Sequence, residues 1–564
     1  MKAFSCIVTP NKKTNHTGYR KSISLFIAGL LTASSLMAAP ADPFPFDPPP
    51  NFSLFIEQGR LYHPVTTSNP EAQRYFDQGL TLVYGFNHDA AYWSFQKAAK
   101  IDPELAMAYW GMALALGQNI NMDITGTRSK AAYELVQKAL VLSSRATDNE
   151  RAYIEALAKR YSNEPNPNRP QLAADYYAAM EQVKNQFPDD LDAATLFAES
   201  GLNLNPWNQW DSEGKPRKGT LELVTVLESV LKRDPEHLGA NHYYIHAIEA
   251  SNNPERALMS AERLRRLLPG SGHILHMPAH IYLLVGDYHL AAACNRQAIA
   301  ADRAYIKQYG MRGIYPLHYL SHNLYFLSRA YSMEGRFEDA KQAGDELYDF
   351  YAPHFESMPE LEYYIPTSLF TLLRFHKWQE VTDYSPPPAN MKITLILWHF
   401  AKAYAFAALG NIQQAEAQQA LFLKGKDSIP PDTAFGYNKI GTVLDIADLT
   451  LQAKIAELSD SDKAIQLLQQ AVAVQDQLHY NEPPDWFFPV RESLGGALLR
   501  SKKYSDAEQV FRQDLARHPR NGRALFGLLE SLKGQGRQTD AFWIQRELDY
   551  AWQYSTTPLT IKNL

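Results

Sequence analysis

Four histidines form two His-x-x-x-His pairs, His242/His246 and His276/His280, and the pairs stand 34 residues apart. Imidazole nitrogen suits zinc, copper and iron, whereas calcium and magnesium take oxygen ligands. Residues at i and i+4 share one helix face, so each pair reads as two ligands on one helix. If 34 residues is the period of a structural repeat, the two helices are equivalent neighbours and the four rings meet as a quartet. Other side chains fall in the same register. His242 and His246 lie ten and six residues before Asn252, as His276 and His280 do before Gly286. His273 lies 13 before Gly286, and His322 lies 13 before Gly335. Glu249 follows His246 by three residues, one turn along its face. Eight of the 17 histidines fall between 242 and 322, so the clustering is not an accident of composition.

The elements that must carry these residues are legible in a second pattern. Gly79, Ala91, Phe95, Ala98 and Pro103 step by 12, 4, 3 and 5, and Gly495, Ala507, Phe511 and Pro519 step by 12, 4 and 8. Ala257 and Ala291 are one period apart, as are Ala507 and Ala541; further units lie at 335–340, 404–417 and 461–473. This resembles the tetratricopeptide repeat (TPR) pattern, in which small residues let two helices touch, aromatics fill between them and proline ends the second helix. The resemblance implies an all-α, right-handed solenoid of about ten or more antiparallel helix pairs. It also implies that His242, His246, His273, His276, His280, His322 and Glu249, all at first-helix positions, line the concave groove. Pro278 interrupts one of these helices, predicting that it begins late and leaves His273 and His276 on the approach to it.

The stretches 86–121, 237–251, 272–288 (with the phrase HMPAH) and 482–495 resemble bacterial TPR proteins of uncertain function, exported or cytoplasmic. That resemblance supports the architecture and supplies no activity.

Residues 1–41 read as a secretory signal: Lys12, Lys13, Arg20 and Lys21 precede an apolar run from Ile23 to Met37 and a small-residue site at Ala39-Pro40-Ala41. Thr32, Ser34 and Ser35 break that run, which favours cleavage over a membrane anchor. The expected compartment is secreted or periplasmic, with no membrane span left after cleavage. With Cys6 in the signal, Cys294 is left alone and expected to be buried, so ligands should be nitrogen and oxygen. A net charge of −6 without a basic block argues against nucleic acid. A Pro-rich lead-in (42–70), extended and mobile over 40–50, precedes N-terminal repeats (71–203), a loop plus the histidine-bearing repeats (204–355), and C-terminal repeats (356–564). Looser stretches are expected at 118–130 and 163–170, and a break between solenoid halves at 382–392. Residues 204–220 cannot be regular helix, and a long loop there can fold back over the groove.

Further candidate contacts are Trp207 and Asp211 in that loop, His318 four residues before His322, Tyr325, and Glu482, Asp485 and Trp486 in the Pro-bounded stretch 479–491. Asp485 reads equally well as an N-cap, and His289 as an exposed side chain. There is no Gly-rich phosphate loop, Gly-x-Ser-x-Gly or His-Glu-x-x-His. Three readings follow. The first is a transition-metal site (zinc, copper or iron) in a groove that binds or organises a protein or peptide. The second is a metal-dependent enzyme, either a dinuclear copper or iron oxidoreductase or a zinc hydrolase. The third is a metal-free peptide-binding scaffold.

Overall fold

The computed structural model describes residues 47–55, 59–311, 315–355 and 362–564. The expected signal and Cys6 lie outside the described residues. Among those described, the chain forms 24 α-helices and one hairpin of two-residue strands, Ala434–Phe435 with Asn438–Lys439. Successive helices pack pairwise on their sequence neighbours, Pro70–Tyr84 on His88–Ile101 and so on to Gly522–Gly534 on Gln538–Ala551. The molecule is a solenoid of TPR-like helix pairs. No described helix is long and apolar enough to cross a membrane.

The small-residue register has a direct steric cause. A Cβ on Gly79 would lie 2.6 Å from the Phe95 ring, and one on Gly111 2.4 Å from it. At the other end of the chain, Gly495 and Gly527 stand in the same relation to Phe511, at 2.3 and 2.1 Å. Each phenyl ring is therefore clamped between two helices that only glycine allows so close. Gly286 and Gly335 end their first helices at φ +78° and +79°, a conformation in which a side chain is strained.

Several boundaries differ from expectation. Beyond residue 50 the lead-in is packed on the repeats. Phe52 is buried edge-on against Trp93, the His63 amide donates to Asp77 at 3.0 Å, and the Thr66 amide donates to Glu150 at 2.7 Å. The looser stretch near 118–130 ends early, because Thr125 caps the Gly126–Leu142 helix. Residues 382–392 make no break: the described residues form one compact unit, and Trp398 Nε1 donates to Tyr384 O at 3.0 Å across that segment. Cys294 is buried and free as expected, its thiol pushed up to about 12 by burial.

The solenoid also closes on itself. Tyr288 donates to Pro519 O at 2.9 Å, and the Thr556 amide donates to Gly335 O at 3.3 Å. C-terminal repeats thus cover the turns of the histidine-bearing ones, and the interior holds the histidines.

Candidate metal centre

Three helices supply the histidines. Leu238–Ile248 carries His242 and His246, Gly272–Leu284 carries His273, His276 and His280, and Ser321–Glu334 carries His322. The first is capped by His237, whose ring accepts from the Ala240 amide, and the second by Ser271. Pro278 does not delay the second helix, which runs through it from Gly272. One missing N–H in the middle of a helix anchored on both flanks removes a single hydrogen bond without stopping the turn. His273 and His276 are therefore helical residues, contrary to expectation.

The four rings of the expected quartet do not share one ligand set. They separate into two triads, His242/His246/His273 and His276/His280/His322, each with nitrogens within 4.8 Å of one another. The reason lies in the register: His273 stands three residues before His276, which turns it toward the preceding helix, while His322 reaches in from the following one. In the first triad His242 Nε2 lies 3.1 Å from both His246 Nε2 and His273 Nε2. In the second, His276 Nε2 and His280 Nε2 are 2.7 Å apart. The triads are neighbours, with the His246 and His280 ring centres 5.8 Å apart. Five of the rings are 0–3% exposed, and His322 is half-buried.

The other ring nitrogens are committed. His242 Nδ1 donates to Tyr84 O at 2.6 Å, His246 Nδ1 to Glu249 Oε1 at 2.8 Å, His276 Nδ1 to Asn295 Oδ1 at 2.7 Å and His280 Nδ1 to Glu249 Oε2 at 2.6 Å. Asn295 is fixed in this orientation by its own amide, which donates to Ala291 O at 2.8 Å. A neutral imidazole carries one proton, so His242, His246 and His276 present bare Nε2 lone pairs, whereas His280, which Glu482 and Glu249 hold in its charged form, keeps a second proton on Nε2 that can bridge to His276. Only His273, whose Nδ1 has no partner, can bring a proton to the first triad's Nε2 cluster. One proton cannot bridge both 3.1 Å contacts, and two lone pairs are left facing each other. Nitrogens held about 2.0–2.1 Å from a shared ion sit roughly 2.9–3.4 Å apart for angles from 90° to tetrahedral. The two contacts to His242 have that spacing, the third pair lies within 4.8 Å, and the donor set fits a transition metal.

The electrostatics separate the triads. Burial first, and then the adjacent rings, hold His242, His273, His276 and His322 well below the ordinary imidazole value; burial also lowers His246. His280 goes the other way: burial opposes its charge, but the Glu482 and Glu249 carboxylates outweigh that and raise it to about 10. Its Nδ1 lies 2.6 Å from Glu249 and 2.5 Å from Glu482. One N–H between two buried carboxylates satisfies one of them, so burial and the Glu249 charge push Glu482 up to about 8. Tyr480 spans the pair, 3.1 Å from Glu249 and 2.9 Å from Glu482.

Glu249 meets both histidines at their Nδ1 atoms, on the far side from the converging Nε2 atoms. It positions one ring of each triad, and with the Nδ1 side of His246 and His280 it also forms a third grouping with ligand atoms within 4.8 Å of one another. Phe86 covers the first triad, 4.5 Å from the His242 ring, and Phe326 the second, 4.8 Å from His276.

Of the remaining candidates, two are brought in and five are not. Glu482 reaches His280, and Trp207 lies edge-on to His246 at 5.4 Å. The loop bearing Trp207 folds back as expected, pinned by Trp210 Nε1 donating to Ala247 O at 2.8 Å. Asp211 stays at the loop's surface, accepting from the Glu213 and Lys215 amides. Asp485 is neither a ligand nor an N-cap; it accepts from the Asn438 and Asn481 side chains. Trp486 is core, packed on Phe370 and Phe400. Tyr325 packs on Tyr363, Tyr364 and Phe487, and His318 on Tyr319, outside both triads. His289 is only 38% exposed at its side chain and pairs with Glu334 at 2.8 Å.

Sequence reasoning missed Tyr84, Phe86, Asn295, Phe326 and Tyr480. Phe326 had a signal, standing four residues after His322. Tyr84 acts through its backbone carbonyl and had none. A further grouping, His63, Asp190 and Asp192, is fully hydrogen-bonded within the protein. Asp192 accepts from His63 at 2.7 Å and Tyr84 at 2.5 Å, and Asp190 from Tyr153 and Asn149, both at 2.9 Å.

No protein-family model matches this chain, and no curated protein matches it. Solved structures similar to it include the APC/C hetero-tetramer Cut9-Hcn1, at 13% identity and TM-score 0.28, covering 86% of this chain and 74% of that one. The human IFIT1 dimer with m7Gppp-AAAA matches at 13% identity and TM-score 0.30, covering 86% and 91%. Superpositions this loose carry no argument about this chain's site.

Proposed function

We propose that this chain binds transition metal at a pair of adjacent three-histidine sites enclosed by its helical repeats. One observation carries the reading: in the first triad His246 and His273 both bring Nε2 within 3.1 Å of His242 Nε2, while the Nδ1 protons of His242 and His246 are already given to fixed acceptors. The proton count disfavours the metal-free scaffold, since lone pairs facing one another in a buried site are a cost with no return. The repeat architecture suggests protein interaction, but burial keeps a peptide from reaching these rings. Any partner therefore meets other surfaces of the solenoid.

A second reading, a metal-dependent enzyme, is favoured by the ligand count. Three protein ligands per ion leave coordination positions open, the arrangement of catalytic rather than structural metal sites. A copper or iron pair would supply redox chemistry there, and zinc would supply an activated water. Export, on the strength of residues 1–41, is part of the proposal. Mass spectrometry of the secreted chain should find Asp42 at its N-terminus; retention of the full length would remove that part.

Cobalt titration tests the metal reading. Metal-stripped protein should take up two equivalents and develop visible d–d absorption, saturating in two steps or one. A flat spectrum through two equivalents would leave the metal-free scaffold as the better account.

A further inference from the structure

A cavity of about 690 Å³ opens beside the centre, its wall carrying Glu249, His280, Tyr480 and Glu482 at one place and Arg329 at another. Its apolar lining includes Leu283, Leu284, Val285, Met333 and Leu478. Arg329 is 2% exposed. Its Nη1 donates to Phe487 O, its Nε has no hydrogen-bond partner, and among the described residues no carboxylate pairs with it. The nearest arrangement that could neutralise it is already taken. Glu492 receives Arg374 in a two-pronged pair at 2.9 and 3.0 Å and also accepts from Asn521 at 2.9 Å, while Arg523 stands 3.9 Å away. Three buried guanidiniums therefore surround one carboxylate. Burial, and then Arg374, pull Arg329 down to about 10, which leaves it a cation at neutral pH. The Phe487 carbonyl, and the Phe487 ring with its centre 5.7 Å away, are its described partners; a buried charge without a carboxylate is costly, and an arginine fork is shaped for one.

Arg329 also stands seven residues after His322 on one helix, hence on the same face and about 10 Å along the axis. We infer that this cavity binds a small organic carboxylate, its acid group on Arg329 and its apolar body directed toward the metal centre. The inference deepens the metal reading by naming the ligand class of the same site; it rests on that reading for chemistry but not for binding.

Calorimetry with benzoate and its uncharged amide, benzamide, tests it on the full chain. Benzoate should bind wild type at least about tenfold more tightly than benzamide, and Arg329→Met should lose at least about tenfold in benzoate affinity, with Arg329→Lys, which keeps the charge but not the fork, falling between the two. Benzoate should still bind the His246→Ala/His322→Ala double variant, whose metal content is measured in parallel, so loss of metal and loss of the carboxylate site are read separately. The inference is overturned if benzoate does not bind, if benzamide binds as well, if Arg329→Met binds like wild type, or if binding disappears with the metal, which would put the carboxylate on the ion. Should Arg329→Met fail to fold, the benzoate–benzamide comparison on wild type decides alone.

Discussion

Glu249 holds His246 and His280 at once, one through each carboxylate oxygen, and so ties the two triads together. A carboxylate behind a ligand histidine fixes its tautomer and raises its basicity, and losing such a partner weakens metal binding by about 10–100-fold. Glu249→Gln keeps the shape but loses the charge and one acceptor oxygen. Competition against a chelator should show both sites weakened in this variant, whereas Asn295→Ala should weaken only the site containing His276. Equal affinity in Glu249→Gln and wild type would contradict the positioning role. The clustering of the candidate histidines was readable from spacing alone, because i, i+3 and i+4 offsets translate directly into a shared face. Their division into triads was not, since it depends on which neighbouring helix each ring meets. Glu482 was readable as a carboxylate on a rigid loop. Asp485 and Trp486 looked alike in sequence and landed in hydrogen bonds and core, because the fold turns alternate side chains of that loop opposite ways.

The histidine helix Gly272–Leu284 is seated by Asp302, whose carboxyl presses where a Cβ on Gly272 would lie and accepts from Tyr315 at 2.9 Å and Asn323 at 2.7 Å. Burial pushes that carboxyl up to about 7. A folded-state value above the unfolded one means the native state holds the proton more tightly. Stability from this group is therefore full below about pH 4, falls as pH rises toward 7 and is flat above. Asp302→Asn removes the titration, so its melting temperature relative to wild type should rise between pH 5 and pH 8, by an amount worth up to roughly 3 kcal/mol. A difference that stays constant with pH would mean Asp302 is already ionised in the folded protein. At a distance from the centre, Gly527→Ala forces a methyl group into the Phe511 ring and should cost about 1–3 kcal/mol in thermal unfolding while leaving metal content unchanged. The helix pairs were legible because glycine–phenylalanine clamps recur at a fixed offset. Pro278 misled, because a proline's local cost was outweighed by packing that no local pattern records.

At the scale of the whole molecule, the solenoid brings residues distant in sequence onto one interior: Tyr84 onto His242, Trp207 onto His246, Tyr480 onto Glu249. Those contacts come from closure of the superhelix, which no periodicity predicts. This is why the expected open groove is a buried centre with a cavity beside it. An ion bound only by the folded chain stabilises it by mass action, so the melting temperature should climb with free metal and fall after chelation. The most direct measurement is the metal-to-chain ratio, by elemental analysis, of protein purified without a histidine tag. Two ions per chain in wild type, falling to one in His246→Ala and to one in His322→Ala with helicity intact, is the result expected from two independent triads. A ratio near zero in wild type after loading, or a ratio unchanged by either substitution, would contradict the account.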